Sequence, residues 1–499
     1  MSPTNFIAFK TKLFIYFFHL QVLLFSQEFI EPNGLALPRN SLASEFSRLN
    51  YGFSQIQNGF NFSINSGFII NNGHSNVDNN AEFFSSSKNS KILSSRFSYN
   101  NSWIFVELEP YVISNSKNFI KEPIEGSLSY NNNHVVNISN KKQKTGFKQS
   151  QIIMHYNGFG IGYGLISHWW GPGFHSALSL SSNAASQKTY SIGTFKDLKF
   201  GNFSFGSKII VKPYNNYIDD QIFFSGLKSH ISYSSSSTII TAGFHRTYLS
   251  GNFNNLNTTT RFNNNWTLID AAKLVIEPLF GQSKKDLSYT IPGTPGFDAW
   301  DEMLTGFVNF NFVDQNLNIY FDIASDDNRG NFSDLRSHWD HTLGYQIGIK
   351  KFEKYNNINF FTGIEYLSTK VSNTFNPKFY RGDPNTISYY SKRSYDYFSY
   401  KGRRMGAHSG SSSDDFIVMI GFSNKNSMLF MSYNKERHGI KSEIYPELKN
   451  EFCINLHQKI TNYSNITLTA EYEKISNYSF VKNNNSFSRL FWLSYSFSF

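Results

Sequence analysis

Apolar and polar residues alternate along the chain from about residue 60 to its end. The clearest runs are Phe60, Phe62, Ile64; Ile104, Val106, Leu108; Ile161, Tyr163, Leu165; and Phe203, Phe205, Ser207, Ile209, Val211. Later ones are Leu317, Ile319, Phe321, Ile323; Ile358, Phe360, Thr362, Ile364, Tyr366; Phe416, Val418, Ile420, Phe422; and Ile466, Leu468, Ala470, Tyr472. Successive side chains of a strand point to opposite faces, so each run builds a strand with one apolar and one mostly polar face. Roughly sixteen to twenty candidates can be marked, each about as long as a tilted membrane strand requires. The terminal stretch is the sharpest: Phe491, Leu493, Tyr495, Phe497 and Phe499 share one face, with Trp492 and three serines between them. That pattern suits the closing strand of a transmembrane antiparallel β-barrel, with Phe499 at the bilayer interface. A terminal aromatic strand of this kind resembles the signal read by the barrel-assembly machinery.

The N-terminus has the layout of a secretory signal peptide over residues 1–26. Lys10 and Lys12 precede an apolar run from Leu13 to Phe25, broken by His19 and Gln21, and Ser26 and Gln27 follow. The run is about thirteen residues, whereas a spanning helix needs about twenty. No later segment is long and apolar enough to span as a helix, so an exported chain that enters a membrane must satisfy its backbone as a closed barrel. The expected organisation is therefore a signal peptide (1–26), a periplasmic segment (27–59) with a short helix around Ser41 to Leu49, and an outer-membrane barrel (60–499). Strands are expected throughout the last of these.

Composition agrees. The 499 residues include 51 Phe and 29 Tyr, yet charged residues are 16% and mean hydropathy is −0.38. A barrel needs aromatic girdles and a lipid-facing residue only at every second position, so its average hydropathy stays low. The lone Cys453 has no intramolecular partner for a disulfide and is expected to face lipid or its strand neighbours around Phe452 to Leu456. The formal charge of +10 remains basic after loss of residues 1–26, which hold Lys10 and Lys12 and no acid. An exported basic protein meets acidic glycans or lipopolysaccharide rather than nucleic acid, unless the excess is merely scattered over solvated loops.

Two irregular stretches read as long loops: 281–302, with Pro292, Gly293, Pro295 and Gly296, and 373–414, with Pro377, Pro384, Arg381, Arg393, Arg403 and Arg404. In barrels the long connections are usually extracellular and the turns at the other end short. Both stretches are candidate functional loops, surface-exposed or folded inward.

Trp169-Trp170-Gly171-Pro172-Gly173, followed by Leu178, Leu180 and Ser182-Asn183-Ala184, resembles the capsule-assembly (Wzi) family of outer-membrane barrels. Tyr320 to Asp327 resembles that family's strand ending in an acidic pair, Asp326 and Asp327. Gly363-Ile364-Glu365-Tyr366 resembles its Glu-Tyr strand, and Tyr400 to His408 its Tyr-x-Gly-Arg-x-x-Gly-His segment. The resemblance covers about residues 60–499, and the double-Trp block is its specific part. Some members carry an N-terminal helical bundle, whereas this chain is expected to hold only a short helix there. The resemblance implies a roughly eighteen-stranded, largely occluded barrel that binds capsular or exopolysaccharide at the cell surface; in the membrane lipid a monomer is expected. It implies no catalysis and no cofactor.

The residues carry alternatives of their own. Trp169 and Trp170 can stack on sugar rings, pin a tight inward-folded turn or sit in the interface girdle. Arg403 and Arg404 can clamp glycan carboxylates, since a guanidinium fork matches a carboxylate, or pair with lumen acids such as Asp326, Asp327 or Glu365. Asp298, Trp300 and Asp301 mix acceptors with an aromatic, as sugar sites do and as plain loops also do. No metal site is expected: His338 and His341 are three apart and would face opposite sides of a strand, and no His-x-x-x-His helix or paired-Cys spacing occurs. Asp326, Asn328, Gly330 and Asn331 lack the remaining ligands of a calcium loop. Ser409 beside His408 and Asp414 lies in a Ser/Gly loop rather than a triad setting, so an enzyme is not expected. A diffusion porin or substrate channel is the main alternative function.

Overall fold

The computed structural model describes residues 59–74, 78–79, 89–120, 137–213, 222–251, 267–276, 301–326, 343–370, 398–400, 403–440 and 443–498. Eighteen antiparallel strands close into one barrel. They are β1 (Gly59–Gly73), β2 (Asn89–Asn100), β3 (Ile104–Leu108 and Pro110–Ile120), β4 (Asn137–Phe147 and Ser150–Tyr156), β5 (Phe159–Ile166) and β6 (Gln187–Thr194, continued by Leu198–Phe200). Next come β7 (Phe203–Pro213), β8 (Ile222–Ser234), β9 (Thr238–Gly251), β10 (Asp301–Phe312), β11 (Leu317–Asp326) and β12 (Leu343–Tyr355). The last are β13 (Ile358–Ser368), β14 (Asp414–Ser423), β15 (Ser427–His438), β16 (Glu447–Lys459), β17 (Ser464–Ser476) and β18 (Ser486–Ser498). Closure is made by β18 on β1, in register from Ser63 opposite Ser498 to Gly73 opposite Ser488. Among the described residues no barrel strand leaves an open edge to lipid.

The alternation does what it predicts. On β18, Phe491, Leu493 and Tyr495 point outward and are exposed, while Leu490 and Trp492 are buried inside. Phe60, Leu93, Ile161, Ile192, Ile347, Ile364 and Ile420 continue the outer apolar surface around the wall. Short turns join strands at one end. In the β4–β5 turn, Asn157 (φ 49°) and Gly158 (φ 87°) take the positive φ that a tight hairpin requires. The longer connections leave from the other end.

One expectation is corrected and another is narrowed. Strands do not fill the whole of 60–499: a helix, α1 (Leu268–Leu274), lies against β7, β8 and β9. Its Leu268 and Ala272 lie beside Ile209, Val211 and the outward-facing Tyr163 and Ile192, so it covers part of the outer wall. Of the two settings expected for Cys453, lipid or its strand neighbours, the structure shows the second. The side chain is buried on the inner face of β16, where Asn455 Nδ2 contacts its Sγ at 3.3 Å, because strand parity places the outward positions at Phe452 and Leu456. The signal peptide, the helix expected at Ser41 to Leu49, His338, Asp340, His341 and Phe499 lie outside the described residues.

Candidate functional site

Two connections fold back into the barrel. The first, residues 167–186 between β5 and β6, begins at a clamp: Gln149 Nε2 donates to the Ser167 carbonyl at 3.1 Å and Gln149 Oε1 accepts from Ser167 N–H at 3.0 Å. Trp169 is half-buried and its indole N–H donates to the Gly173 carbonyl at 2.9 Å. Gly171 sits at φ 141°, which side chains rarely adopt, and a Cβ on Gly173 would collide with the Ser176 carbonyl and Gln346. The Gly-Pro-Gly block is thus a turn pressed against the wall.

Glu365 on β13 holds that turn. Its Oε2 accepts the N–H groups of Phe174 (2.7 Å) and His175 (3.3 Å), and its Oε1 that of Ser176 (2.8 Å). Tyr320 on β11 donates its hydroxyl to the same carboxylate, and Gln346 Nε2 on β12 donates to the Ser176 carbonyl at 2.8 Å. Beyond the turn the chain pairs with itself, Trp170 N–H donating to the Leu180 carbonyl at 2.9 Å.

The second connection, from Phe398 to Ser413, carries a small hairpin of Ser399–Tyr400 against Arg403–Arg404. It packs on the first. Ser181 N–H donates to the Met405 carbonyl at 2.6 Å, Asn183 Nδ2 donates to the Arg404 carbonyl at 3.1 Å, and Arg403 Nε donates to the Asn183 carbonyl at 3.1 Å. The Arg403 terminal nitrogen also donates to Asn183 Oδ1. Thr369 anchors the far end, its hydroxyl donating to the Gly410 carbonyl at 2.7 Å.

Together the two segments fill the interior with an apolar core. Trp170, Leu178, Leu180 and Ala184 of the first and Phe398, Met405 and Ala407 of the second pack against Ile210, Phe224, Leu249, Met303, Ala324 and Leu367 of the wall. Trp170 is fully buried, and its ring lies where Gly226 of β8 has no side chain. A second cluster joins Phe174 to Tyr320, Phe361, Ile417, Met419, Met428 and Phe430.

The wall of β14 to β17 also carries a buried charged network. Lys449 of β16 meets Asp78 of the β1–β2 connection, Glu436 (2.7 Å), Glu473 (3.3 Å) and Glu451 (3.5 Å). His408 Nε2 of the second segment faces Asp415 Oδ2 (3.2 Å) and Glu436 Oε1 (3.7 Å), and His175 Nε2 of the first faces Asp415 Oδ2 (3.4 Å). His438 bridges Glu436 (2.9 Å) and Glu447 (3.1 Å). Burial resists ionisation of Asp78, but the Lys449 ammonium outweighs it and holds that carboxyl down to about 2. Burial likewise opposes charging of His408, yet Glu436 and Asp415 outweigh it and push its imidazole well above the ordinary value.

The residues singled out in the sequence are therefore placed as follows. Trp169, Trp170, Gly171, Pro172, Gly173 and Glu365 form one unit, and Arg403 and Arg404 come from the second segment to meet it. Trp170 and Arg403 are buried, at 0% and 1% exposure, so neither presents a face to a sugar in this arrangement. The Arg403 contacts given above are with Asn183, and Glu365 spends its carboxylate on backbone N–H groups and Tyr320, not on an arginine. Asp326 is buried at the end of β11. Asp298, Trp300 and Asp327 lie outside the described residues. The meeting of His175, His408 and Asp415 was missed by sequence reasoning, because the three sit in separate segments and no spacing rule links them.

No known protein family matches the chain by sequence, and no curated protein does so either. Solved structures do match. The Escherichia coli protein Wzi, an outer-membrane protein involved in group 1 capsule assembly and described as a carbohydrate-binding β-barrel, aligns with 91% of this chain and 88% of its own at 11% identity and TM-score 0.56. The fold is that of an outer-membrane barrel. OccAB3 of Acinetobacter baumannii (8% identity, 88% of this chain and 99% of that one, TM-score 0.43) and OccK7 of Pseudomonas aeruginosa (7%, 88% and 98%, 0.42) are more distant structures.

Proposed function

We propose that the protein binds a secreted polysaccharide at the cell surface and helps retain it as a capsule or exopolysaccharide layer. The observation that carries this reading is the apolar core inside the barrel. A pore conducts through a polar, water-filled lumen. Here Trp170, Leu178 and Met405 occupy that space with no exposed surface beyond 2%. Passage of a solute would require both segments to leave, against the Glu365, Gln346 and Asn183 hydrogen bonds. A closed barrel leaves function to its outer end. The basic charge of the chain suits an acidic glycan there, and the likeness to a carbohydrate-binding barrel agrees with it. Because Trp170 and Arg403 are committed inside, sugar contacts fall to the long connections, including the stretch with Asp298 and Trp300. The role is retention and involves no reaction. In this reading the chain carries a cleaved signal peptide, is inserted through β18 by the barrel-assembly machinery and sits as a monomer among lipopolysaccharide.

Deleting the protein should leave polysaccharide synthesis unchanged and release more of the glycan into the medium. An unchanged cell-associated layer in the deletion strain would overturn the proposal.

A further inference from the structure

We propose that the outward face of β15 to β18 is a binding site for one molecule of lipopolysaccharide, with Lys435, Lys474 and Arg489 holding the phosphates of its lipid A. This rests on the outer-membrane placement of the barrel with its long connections outside, and not on which glycan the outer end retains.

Strand parity sorts the charges of these strands. Every acid on them, Glu436, Glu447, Glu451, Glu471 and Glu473, stands at an inward position. Lys435, Arg437, Lys474 and Arg489 stand at outward positions and are exposed. The outward acid on the adjoining strand is Asp414 of β14, and Arg437 takes it: Nε donates to Asp414 Oδ1 at 2.8 Å and the terminal nitrogen to Oδ2. Among the described residues, Lys435, Lys474 and Arg489 are left without an acid of their own on this face. Elsewhere on the outer wall Arg246 pairs with Glu302, and Lys351 with Glu353 at 2.6 Å.

Register gathers the three cations. Lys435, Asn450, Lys474 and Phe487 lie side by side across β15 to β18. One outward position further from the long connections lie Tyr433, Phe452, Tyr472 and Arg489. Neighbouring strands are about 4.7–4.9 Å apart, so Lys435 and Lys474 stand about 10 Å apart with Asn450 between them. Arg489 is diagonal to Lys474, at about 7–8 Å, within reach of long side chains. Like charges this close repel one another unless an anion lies between them.

The level of the cations in the wall selects a lipid. Tyr433, Phe452, Tyr472 and Phe491 are exposed rings, and such a girdle marks the boundary between hydrocarbon and headgroups. Lys435 and Lys474 stand just beyond it on the side of the long connections, at the headgroups of the outer leaflet, where a basic residue is attracted to anionic lipid. The Arg489 fork and the two ammonium groups suit phosphate oxygens. Below the girdle, Leu429, Leu456, Leu468 and Leu493 form an outward apolar row for acyl chains. Lipid A joins phosphates at both ends of a sugar pair to several acyl chains, so one molecule can meet Lys435 and the Lys474–Arg489 pair together. A phospholipid with one phosphate meets only one of them, and a soluble acidic polysaccharide has no chains for the leucine row.

The test titrates the purified full-length barrel, in neutral detergent, with lipid A, with the same glycolipid freed of phosphate and with phosphatidylglycerol, and counts bound lipid by native mass spectrometry. The wild type should retain one lipid A in preference to both comparators and release it as salt rises. Lys435→Gln, Lys474→Gln and Arg489→Gln combined should weaken lipid A binding about 100-fold, from about fivefold for each basic residue beside an anionic lipid. The heat-modifiable gel mobility of that variant should be unchanged, and Lys91→Gln, at a single outward cation on β2, should bind as the wild type does. Equal affinity for the phosphate-free glycolipid, or wild-type affinity in the folded triple variant, would overturn the site. A triple variant that keeps lipid A but loses glycan retention would assign the face to the polysaccharide and equally refute it. If the triple variant does not fold, the wild-type preference for lipid A over its phosphate-free form decides alone.

Discussion

The two sides of the barrel interior are built from different materials. On the side of β7 to β11 the inward segments meet Ile210, Phe224, Leu249, Met303 and Ala324, and the contact is apolar. On the side of β14 to β17 an ionic network is added beside the apolar seat of Phe174: His175 and His408 reach Asp415, and His408 reaches Glu436, whose partner Lys449 also meets Glu473. An apolar wall gains stability simply from excluding water, and it tolerates small displacements. A buried ionic wall pays heavily for desolvation and recovers the cost only when every partner is in place. The apolar side therefore fills the lumen, and the ionic side fixes the exact seat of the segments through His175 and His408.

Substitutions should separate the two sides. The largest effect is expected at Lys449→Met, which leaves half-buried Asp78 and buried Glu436 and Glu473 around a missing cation, at a cost of about 3–5 kcal/mol. In the wild type the contribution of Asp78 is complete above its ordinary value of 3.8 and is lost as pH falls toward about 2. In the variant the sign reverses: the stranded carboxylate destabilises at neutral pH, and stability should recover as acid protonates it. Denaturant midpoints across pH, read by the gel shift between unheated and boiled samples, check both statements.

Trp170→Ala on the apolar side should cost a similar amount, about 3–5 kcal/mol, by leaving a cavity against Gly226. Its cost should be the same at every pH. A pH-dependent loss at Trp170, or a pH-independent one at Lys449, would break the distinction between the two walls.

Glu365→Gln should cost less, about 1.5–3 kcal/mol, since it weakens charge-assisted bonds to Phe174, His175 and Ser176 without removing an anchor from the core. It should also raise the frequency of brief conductance events, because the Gly-Pro-Gly turn loses its grip on β13. Arg403→Ala reports on the contact between the segments. It should lower stability along with any change in glycan retention, whereas a stable barrel with reduced retention would move Arg403 to the sugar side of the account.

The outer face was legible in the sequence and the inner face was legible only in part. Lipid imposes one rule on every outward position, so Phe491, Leu493 and Tyr495 declare themselves by parity alone. The inward positions obey local partners instead. On β15, Lys435, Glu436 and Arg437 are consecutive charges, and only the strand pairing shows that Glu436 points inward. The double-Trp block marked an unusual turn, but whether its rings meet sugar or protein depends on Gly226, 56 residues away in the chain. The resemblance to a capsule-assembly barrel located both inward segments by their motifs. It did not show that Asn183 joins them, because that contact couples a side chain in one motif to the backbone of the other.

The central claim is that the two inward segments seal the lumen, and conductance of the wild-type protein in a planar lipid bilayer tests it most directly. Inserted barrels confirmed by heat-modifiable gel mobility should show no sustained open level. A stable, long-lived open conductance would contradict the sealed interior and return the protein to the class of diffusion channels.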